Sequence, residues 1–286
     1  MTVRAAIIGL GRWGRSLVNA VHGKTDAIRF TAAYTRTRAS AEDYCREKNI
    51  PLLDRFEDAL ANPNIDAVVL ATPHSQHAEQ VMAAAVAGKH VHVEKPLTLD
   101  RPSAEAAVGA AKRAGSVLAV GFNRRFHPSV VEIRKRLAGG QLGQVMSMVG
   151  AHTTSTGQFI PADNWRAQLD EAPGGALTAV GVHSIDHMIE FAGPVRDVLS
   201  TTGRYVGGPS DDTTNIMLRF KSGATVETGT KRNRARLGLE NSARPLVPNS
   251  VKQSVVAVAT EQKISPVAPF LKRSMMLVVS SDGAGI

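Results

Sequence analysis

"RAAIIGLGRWGRSLVNAVH", Arg4 to His22, decides how the rest of the chain is read. An apolar run through Ile8 reads as a strand. The run from Arg12 reads as a helix with Leu17, Val18 and Val21 on one face. Between them Gly9, Gly11 and Gly14 form a G-x-G-x-x-G, placed where a dinucleotide-binding loop requires it, after a strand and at the start of a helix. The first glycine permits the tight turn and the second lets backbone approach a pyrophosphate. The third lets helix and strand pack closely. The helix N-terminus adds N–H donors and the positive end of a dipole. Arg12 and Trp13 lie inside the loop and join the cofactor-binding set, Trp13 as a packing surface near the adenosine end.

The pattern continues outward from that loop. "IRFTAAYT" is a second strand, "ASAEDYCREKN" a helix and "IDAVVLAT" a strand apolar almost throughout. Such a strand suits a parallel sheet covered on both faces. "SQHAEQVMAAAVAG" is a helix, "KHVHVEKP" a strand, "SAEAAVGAAKRAG" a helix and "SVLAVGF" a strand. Strands alternating with helices through short connections predict a doubly wound parallel sheet, the Rossmann arrangement. After Phe126 the pattern changes. "PSVVEIRKRLAGG" reads as a helix, "GQVMSMVGAHTT" as a strand and "ALTAVGVHSIDHMIEFAG" as a helix. "VRDVLSTTGRY", "DTTNIMLRF" and "ATVETGT" then read as largely antiparallel strands. The expected organisation is a Rossmann domain over 1–123, an α+β domain with an open sheet over 124–230, and an atypical basic tail over 231–286.

With 286 residues, 43% of them hydrophobic, the chain has material for one large or two ordinary cores. No apolar run approaches a membrane span, and the first residues carry no signal-peptide pattern. A single cysteine, Cys45, excludes an intrachain disulfide and suits a reducing cytoplasm. The nine histidines show no metal-ligand spacing, so no metal is expected. The net charge of +9 is uneven: from Lys231 onward nine basic residues face three acidic ones. With few aromatics and no nucleic-acid motif, neither nucleic acid nor membrane is an expected partner.

The end of the second strand selects the cofactor. An acidic residue there binds a ribose 2′-hydroxyl and favours NAD. This chain has Tyr34-Thr35-Arg36-Thr37-Arg38, with no acid before Glu42. Thr35 can donate to a 2′-phosphate and Arg36 can pair with or stack on it, which predicts NADP, with NAD possible. "ATPHSQH", "EKP" and "GFNRRF" stand at the C-terminal ends of three successive later strands, where open α/β sheets bind ligands.

Those pieces, with Gly9–Gly14, "AGKHVHVEKPL", "GFNRRFHP" and "GGALTAVGVHSIDHMIEFAG", resemble the Gfo/Idh/MocA family, named for glucose–fructose oxidoreductase, inositol dehydrogenase and a rhizopine-catabolism protein. The resemblance spans residues 3 to about 230. It implies a Rossmann domain followed by an α/β domain whose open sheet commonly packs in a homo-oligomer. It also implies hydride transfer between NAD(P) and a sugar, cyclitol or related hydroxy or carbonyl compound. Carried over by position, the family's lysine of EKP falls on Lys95, beside the reacting oxygen and the nicotinamide, with Glu94 before it. An ammonium there stabilises developing negative charge. Thr72 and Pro73 fall along the cofactor. Asn123 and Arg124 face cofactor and substrate, and Arg166 of Trp165-Arg166 reaches one of them. The catalytic histidine falls on His183, placed to exchange the hydroxyl proton. His74, His77 and His187 read as structural or helix-surface residues. Asp186 either orients a neighbour or caps a packing contact.

Two departures stand out. Many members carry D-x-G-x-H, where this chain reads Ala179-Val180-Gly181-Val182-His183. The missing carboxylate favours Lys95 with His183 alone, or else a catalytically silent NADP-binding regulator on the same scaffold. After Gly229 the family's further strands are not recognisable, as a replaced or frame-shifted C-terminus would produce. That makes the homo-oligomer doubtful, although "VVAVAT" and "SMMLVVSS" retain strand character.

Overall fold

In a computed structural model of the chain, residues 1–153, 160–161, 163–205, 211–231 and 278–280 are described. They divide into two compact units, Met1–Phe122 and Asn123–Ile286.

The first unit is built on five parallel strands: β1 (Val3–Ile8), β2 (Ile28–Tyr34), β3 (Ala67–Leu70), β4 (His90–Val93) and β5 (Leu118–Val120). Their order, β2-β1-β3-β4-β5, puts β2 on one side of β1 and β3 on the other. The winding therefore reverses at β1, the switch point where such sheets bind ligands. Helices α1 (Arg12–Val21), α2 (Glu42–Lys48), α3 (Phe56–Ala61), α4 (His77–Val86) and α5 (Arg101–Arg113) connect the strands. Side chains alternate across the sheet, so β1 feeds two cores. Ala6 and Ile8 join Val68, Leu70, Val91 and Val93 on one face, while Ala5 and Ile7 join Val18, Phe30 and Val69 on the other. Burial on both faces is why these strands read as unbroken apolar runs. Helix ends follow local chemistry. Asp100 caps α5 by accepting from the Ser103 amide at 2.8 Å, and Gly88, at φ +70°, turns the chain out of α4.

Helix α3 and the pairing just before it escape the periodicity reading. The Leu53 amide donates to Ala33 O, and the Ala33 amide to Pro51 O, both at 2.8 Å. This lays a single bridging residue, Leu52, along β2. One residue of pairing carries no period, and six residues of helix make less than two turns of pattern.

The second unit contains α6 (Pro128–Ala138), β6 (Ser147–Thr153), α7 (Val182–Ala192), β7 (Val195–Gly203), β8 (Thr213–Phe220), β9 (Thr225–Lys231) and β10 (Val278–Ser280). The sheet order is β10-β6-β9-β8-β7. Every neighbouring pair is antiparallel except β6–β9, which is parallel. On β8, Thr214, Ile216, Leu218 and Phe220 are buried while Asn215, Met217 and Arg219 are exposed. The buried row joins Met148, Val226 and Met188 of α7 in one core. Gly150 makes that contact possible, since a Cβ there would lie 2.4 Å from the Met188 methyl. Helix α7 is preceded by a single wide turn of π pitch, Leu177–Gly181, where the sequence pattern suggests one continuous helix. Of the basic tail, Lys231 ends β9 and Val278–Ser280 pairs with β6; "VVAVAT" lies outside the described residues.

Candidate active site

In the first unit the glycine loop leaves β1 with the Gly9 amide donating to Tyr34 O at 2.8 Å. Gly9 sits at φ +96°, and a Cβ there would fall 2.7 Å from Ala71 O. A Cβ on Gly14 would fall 1.9 Å from Gly9 O. Packing therefore forbids a side chain at both positions. Gly11 differs, because nothing lies within 4 Å of where its Cβ would be. It is the N-cap of α1 and offers no side-chain acceptor to the first-turn amides. An open approach beside unsatisfied helix N–H groups fits a pyrophosphate. Arg12 and Trp13 are exposed beside it.

At the end of β2, Thr35 is partly buried and Arg36 is exposed. Arg38 is held by Asp54 at 2.6 Å and Glu42 at 3.3 Å, whereas Arg36 has no ion-pair partner among the described residues. Beyond β3, Thr72 Oγ1 donates to Gln80 Oε1 at 2.7 Å, and Pro73 leads into the short turn His74–Gln76. Beyond β4, Glu94 is only 8% exposed. Its carboxylate lies where a Cβ on Gly121 would come within 2.7 Å, so the glycine after β5 makes room for it. The Lys95 amide donates to Glu94 Oε2 at 3.3 Å, and Lys95 itself is partly buried. His77, with no exposed surface, joins the two turns. Its Nδ1 lies 2.8 Å from Pro96 O and its Nε2 3.2 Å from Thr72 O. Gly9, Gly11, Gly14, Thr35, Arg36, Thr72, Pro73, Glu94 and Lys95 are thus strung along the C-terminal edge of one parallel sheet.

In the second unit, Asn123 and Arg124 belong to a turn, Asn123–Phe126, with Asn123 exposed and Arg124 partly buried. That turn is fastened to α7, because Arg125 grips Asp186 with two bonds of 2.7 and 2.5 Å. Asp186 orients a neighbour; the pair spans 61 positions, and no local pattern announces it. Arg125 O also accepts from Arg134 at 2.9 Å. His183, 6% exposed, lies one turn before Asp186 on α7, and Ala179 is exposed in the wide turn before it. Arg166 is exposed, with its guanidinium 4.1 Å from the Trp165 ring centroid, and Asn164 accepts from its amide. His187 is 4% exposed and stacks on Phe191. Burial pushes its imidazole below the ordinary range, while Asp186 and Glu190 act the other way. His152 on β6 is pushed down by burial and then by the charge of Arg124. Sequence reading gave no role to His152, and it left His77 and His187 undistinguished.

Among the described residues no three His, Cys, Asp or Glu side chains are placed to hold a metal, and no helix is long and apolar enough to cross a membrane.

A parallel sheet with its glycine loop at the switch point, followed by a mostly antiparallel open sheet, defines a class: oxidoreductases with an NAD-binding Rossmann domain. The chain belongs to the Gfo/Idh/MocA family of that class. Residues 3–122 match the model for its NAD-binding Rossmann fold and residues 130–238 that for its C-terminal domain. It is 30% identical over 242 residues to scyllo-inositol 2-dehydrogenase (NAD(+)) of Bacillus subtilis, covering 80% of this chain and 67% of that protein. It is 36% identical over 150 residues to inositol 2-dehydrogenase of Rhizobium meliloti, covering 51% of this chain and 43% of that one. A solved levoglucosan dehydrogenase, in complex with NADH and levoglucosan, superposes with a TM-score of 0.74 at 26% identity, covering 82% of this chain and 68% of that chain.

Proposed function

We propose that the protein is an NADP-preferring oxidoreductase that moves a hydride between a nicotinamide cofactor and a hydroxyl-bearing or carbonyl compound of the sugar or cyclitol kind. The observation that carries this reading is the open direction at Gly11 between two glycines that packing requires. It leaves α1 presenting its first-turn amides to space. The bound nicotinamide supplies the hydride donor or acceptor. The chain's own residues bind, orient and handle the proton. Gly9, Gly11 and Gly14, with Arg12, hold the pyrophosphate end, and Trp13 packs near the adenosine end. Thr72, Pro73, Glu94, Asn123, Arg124 and Arg166 are assigned to the remainder of the cofactor. The Lys95 ammonium stabilises negative charge developing on the reacting oxygen. His183 accepts the hydroxyl proton during oxidation and returns it during reduction. The relatives are named dehydrogenases and lend nothing to a silent regulator.

The preference for NADP rests on Thr35 and on Arg36, exposed and without an ion-pair partner among the described residues, where an acid would favour NAD. The Bacillus subtilis relative, by contrast, is named for NAD(+). Turnover of sugars, inositols and aldehydes with each cofactor tests the activity. For the preference, Arg36→Ala should weaken NADP(H) by about 1.5–3 kcal/mol, the worth of a hydrogen bond to a charged group, and leave NAD(H) nearly unchanged. A wild type that binds NAD(H) more tightly refutes the preference.

A further inference from the structure

A glycine loop takes the pyrophosphate of a dinucleotide, and the end of the second strand takes its adenosine ribose. The two can grip one molecule only if their spacing is fixed. At their roots they share one bond, from the Gly9 amide to Tyr34 O at 2.8 Å. Further out, among the described residues, one side chain bonds to both. Arg15, in the first turn of α1 and directly after Gly14, donates from Nε to Leu10 O at 3.2 Å, inside the glycine loop. From Nη2 it donates to Ser40 O, in the turn that follows Thr35 and Arg36. A planar guanidinium can hold two carbonyl oxygens in different directions at once, which a lysine ammonium on its flexible stem does less well.

The arginine is itself held in place. The Tyr44 ring lies 5.0 Å from its Cζ, and the Tyr44 hydroxyl lies 3.2 Å from Arg15 O and 3.0 Å from Asn19 Oδ1. Ser40 passes the restraint on, because its amide and its hydroxyl both donate to Thr37 O, at 3.1 and 2.7 Å. The other side of the turn is anchored separately, by Arg38 on Asp54 at 2.6 Å, two residues beyond the Leu52 bridge to β2. Arg36 stands between the two anchors. The core beneath α1, with Ala5, Ile7, Val18, Phe30 and Val69, is built without Arg15. The bonds of Arg15 therefore join two ligand-facing loops and are not needed to pack the sheet.

We propose that Arg15 is a positioning residue for the cofactor. It sets the loop of Thr35 and Arg36 at a fixed distance from the glycine loop, so that a dinucleotide seated by its pyrophosphate meets Arg36 in place. The inference rests on the reading of that loop as the source of NADP preference, and the test separates the two. Dissociation constants of NADPH and NADH are measured by fluorescence for wild type, Arg15→Met, Arg36→Ala and the double variant, with cofactor KM and kcat on one accepted substrate. Arg15→Met keeps the apolar stem and removes both donors. It should weaken NADPH by about 5- to 30-fold, and NADH by less, since NADH offers Arg36 no 2′-phosphate. At saturating cofactor kcat should stay within about 2-fold of wild type. In the Arg15→Met background Arg36→Ala should cost NADPH less than it does in wild type, because an Arg36 already displaced has less to lose. Arg15→Lys should recover part of the loss. Tyr44→Leu removes the ring against the guanidinium and should give a smaller loss of the same kind, which keeps the proposal testable if Arg15→Met does not fold. Unchanged affinities for both cofactors overturn the proposal. Strictly additive effects of Arg15→Met and Arg36→Ala overturn it too, leaving Arg15 as a support of the glycine loop. A wild type that binds NADH more tightly refutes the NADP preference by itself. Arg15 is then judged on NADH: a loss of about 5-fold or more with kcat unchanged upholds the positioning role, and an unaltered affinity refutes it.

Discussion

Two buried histidines, one in each unit, show how the units differ. His77 opens α4 in the first unit, with no exposed surface and a carbonyl oxygen facing each ring nitrogen. His187 lies within α7 in the second unit, equally hidden, with neither nitrogen bonded. A buried polar atom without a partner costs about 1–3 kcal/mol, so a chain selected for stability alone gains by replacing it. His77 is explained by the fold, since it pins the turn carrying Thr72 and Pro73 to the turn carrying Lys95 and Pro96. His187 is not explained by the fold. The lesson is that burial of a polar residue says little until its hydrogen bonds are accounted for.

The comparison can be broken most forcefully at His77. His77→Ala removes the ring between Pro96 O and Thr72 O, with the N–H that one of them accepts, and leaves a cavity, so it should destabilise the protein by about 2–5 kcal/mol. Denaturant titration followed by a probe in the first unit measures this. A loss under about 1 kcal/mol would mean that the two carbonyls find water, and that His77 is no pin. His187→Leu should behave in the opposite way. It removes two unsatisfied atoms, so stability should stay within about 1 kcal/mol of wild type or rise. A loss of several kcal/mol in the same titration would show that the imidazole has a structural partner and would erase the contrast.

The smallest effect is one of pH. Burial holds the folded-state pKa of His187 below its ordinary value of 6.5. As pH falls through that value the unfolded chain takes up a proton that the folded chain does not. Stability is therefore lost progressively until the depressed folded-state value is reached. His152 and His92 are lowered chiefly by burial too and add to the same slope. Asp66 does not enter this window. The bonds from Arg4 hold its carboxyl well below the usual carboxylate range, so its contribution is present above about 3.8 and is lost only in stronger acid. Melting temperatures between pH 8 and pH 5 should thus decline less steeply in His187→Leu than in wild type. Parallel curves would show that His187 titrates alike in both states.

Much of this was legible in the sequence, and what was not has a common cause. The glycine loop could be read because its chemistry is local: three glycines, one turn, one strand and one helix. The parallel sheet could be read because burial on both faces removes polar residues from whole strands, as in "IDAVVLAT". The pairing of Arg125 with Asp186, the parallel run of β6 along β9 and the room that Gly121 gives Glu94 depend on partners brought together by folding, so no spacing encodes them. For the same reason His77 and His187 looked alike in sequence. A stretch such as "SQH" or "DHM" does not say where the ring's bonds end.

The account stands most directly on Lys95, which follows the buried Glu94 at the end of β4. The measurement is the initial rate of nicotinamide reduction by wild type and Lys95→Ala on one accepted substrate, with cofactor dissociation constants determined by fluorescence on the same samples. The expected result is a fall in kcat of roughly 10²-fold or more, the cost of removing one donor to a developing oxyanion, with cofactor affinity changed only a few-fold. A variant with near-normal kcat would contradict the account, leaving Lys95 as a structural charge beside Glu94 and the chemistry to be sought elsewhere.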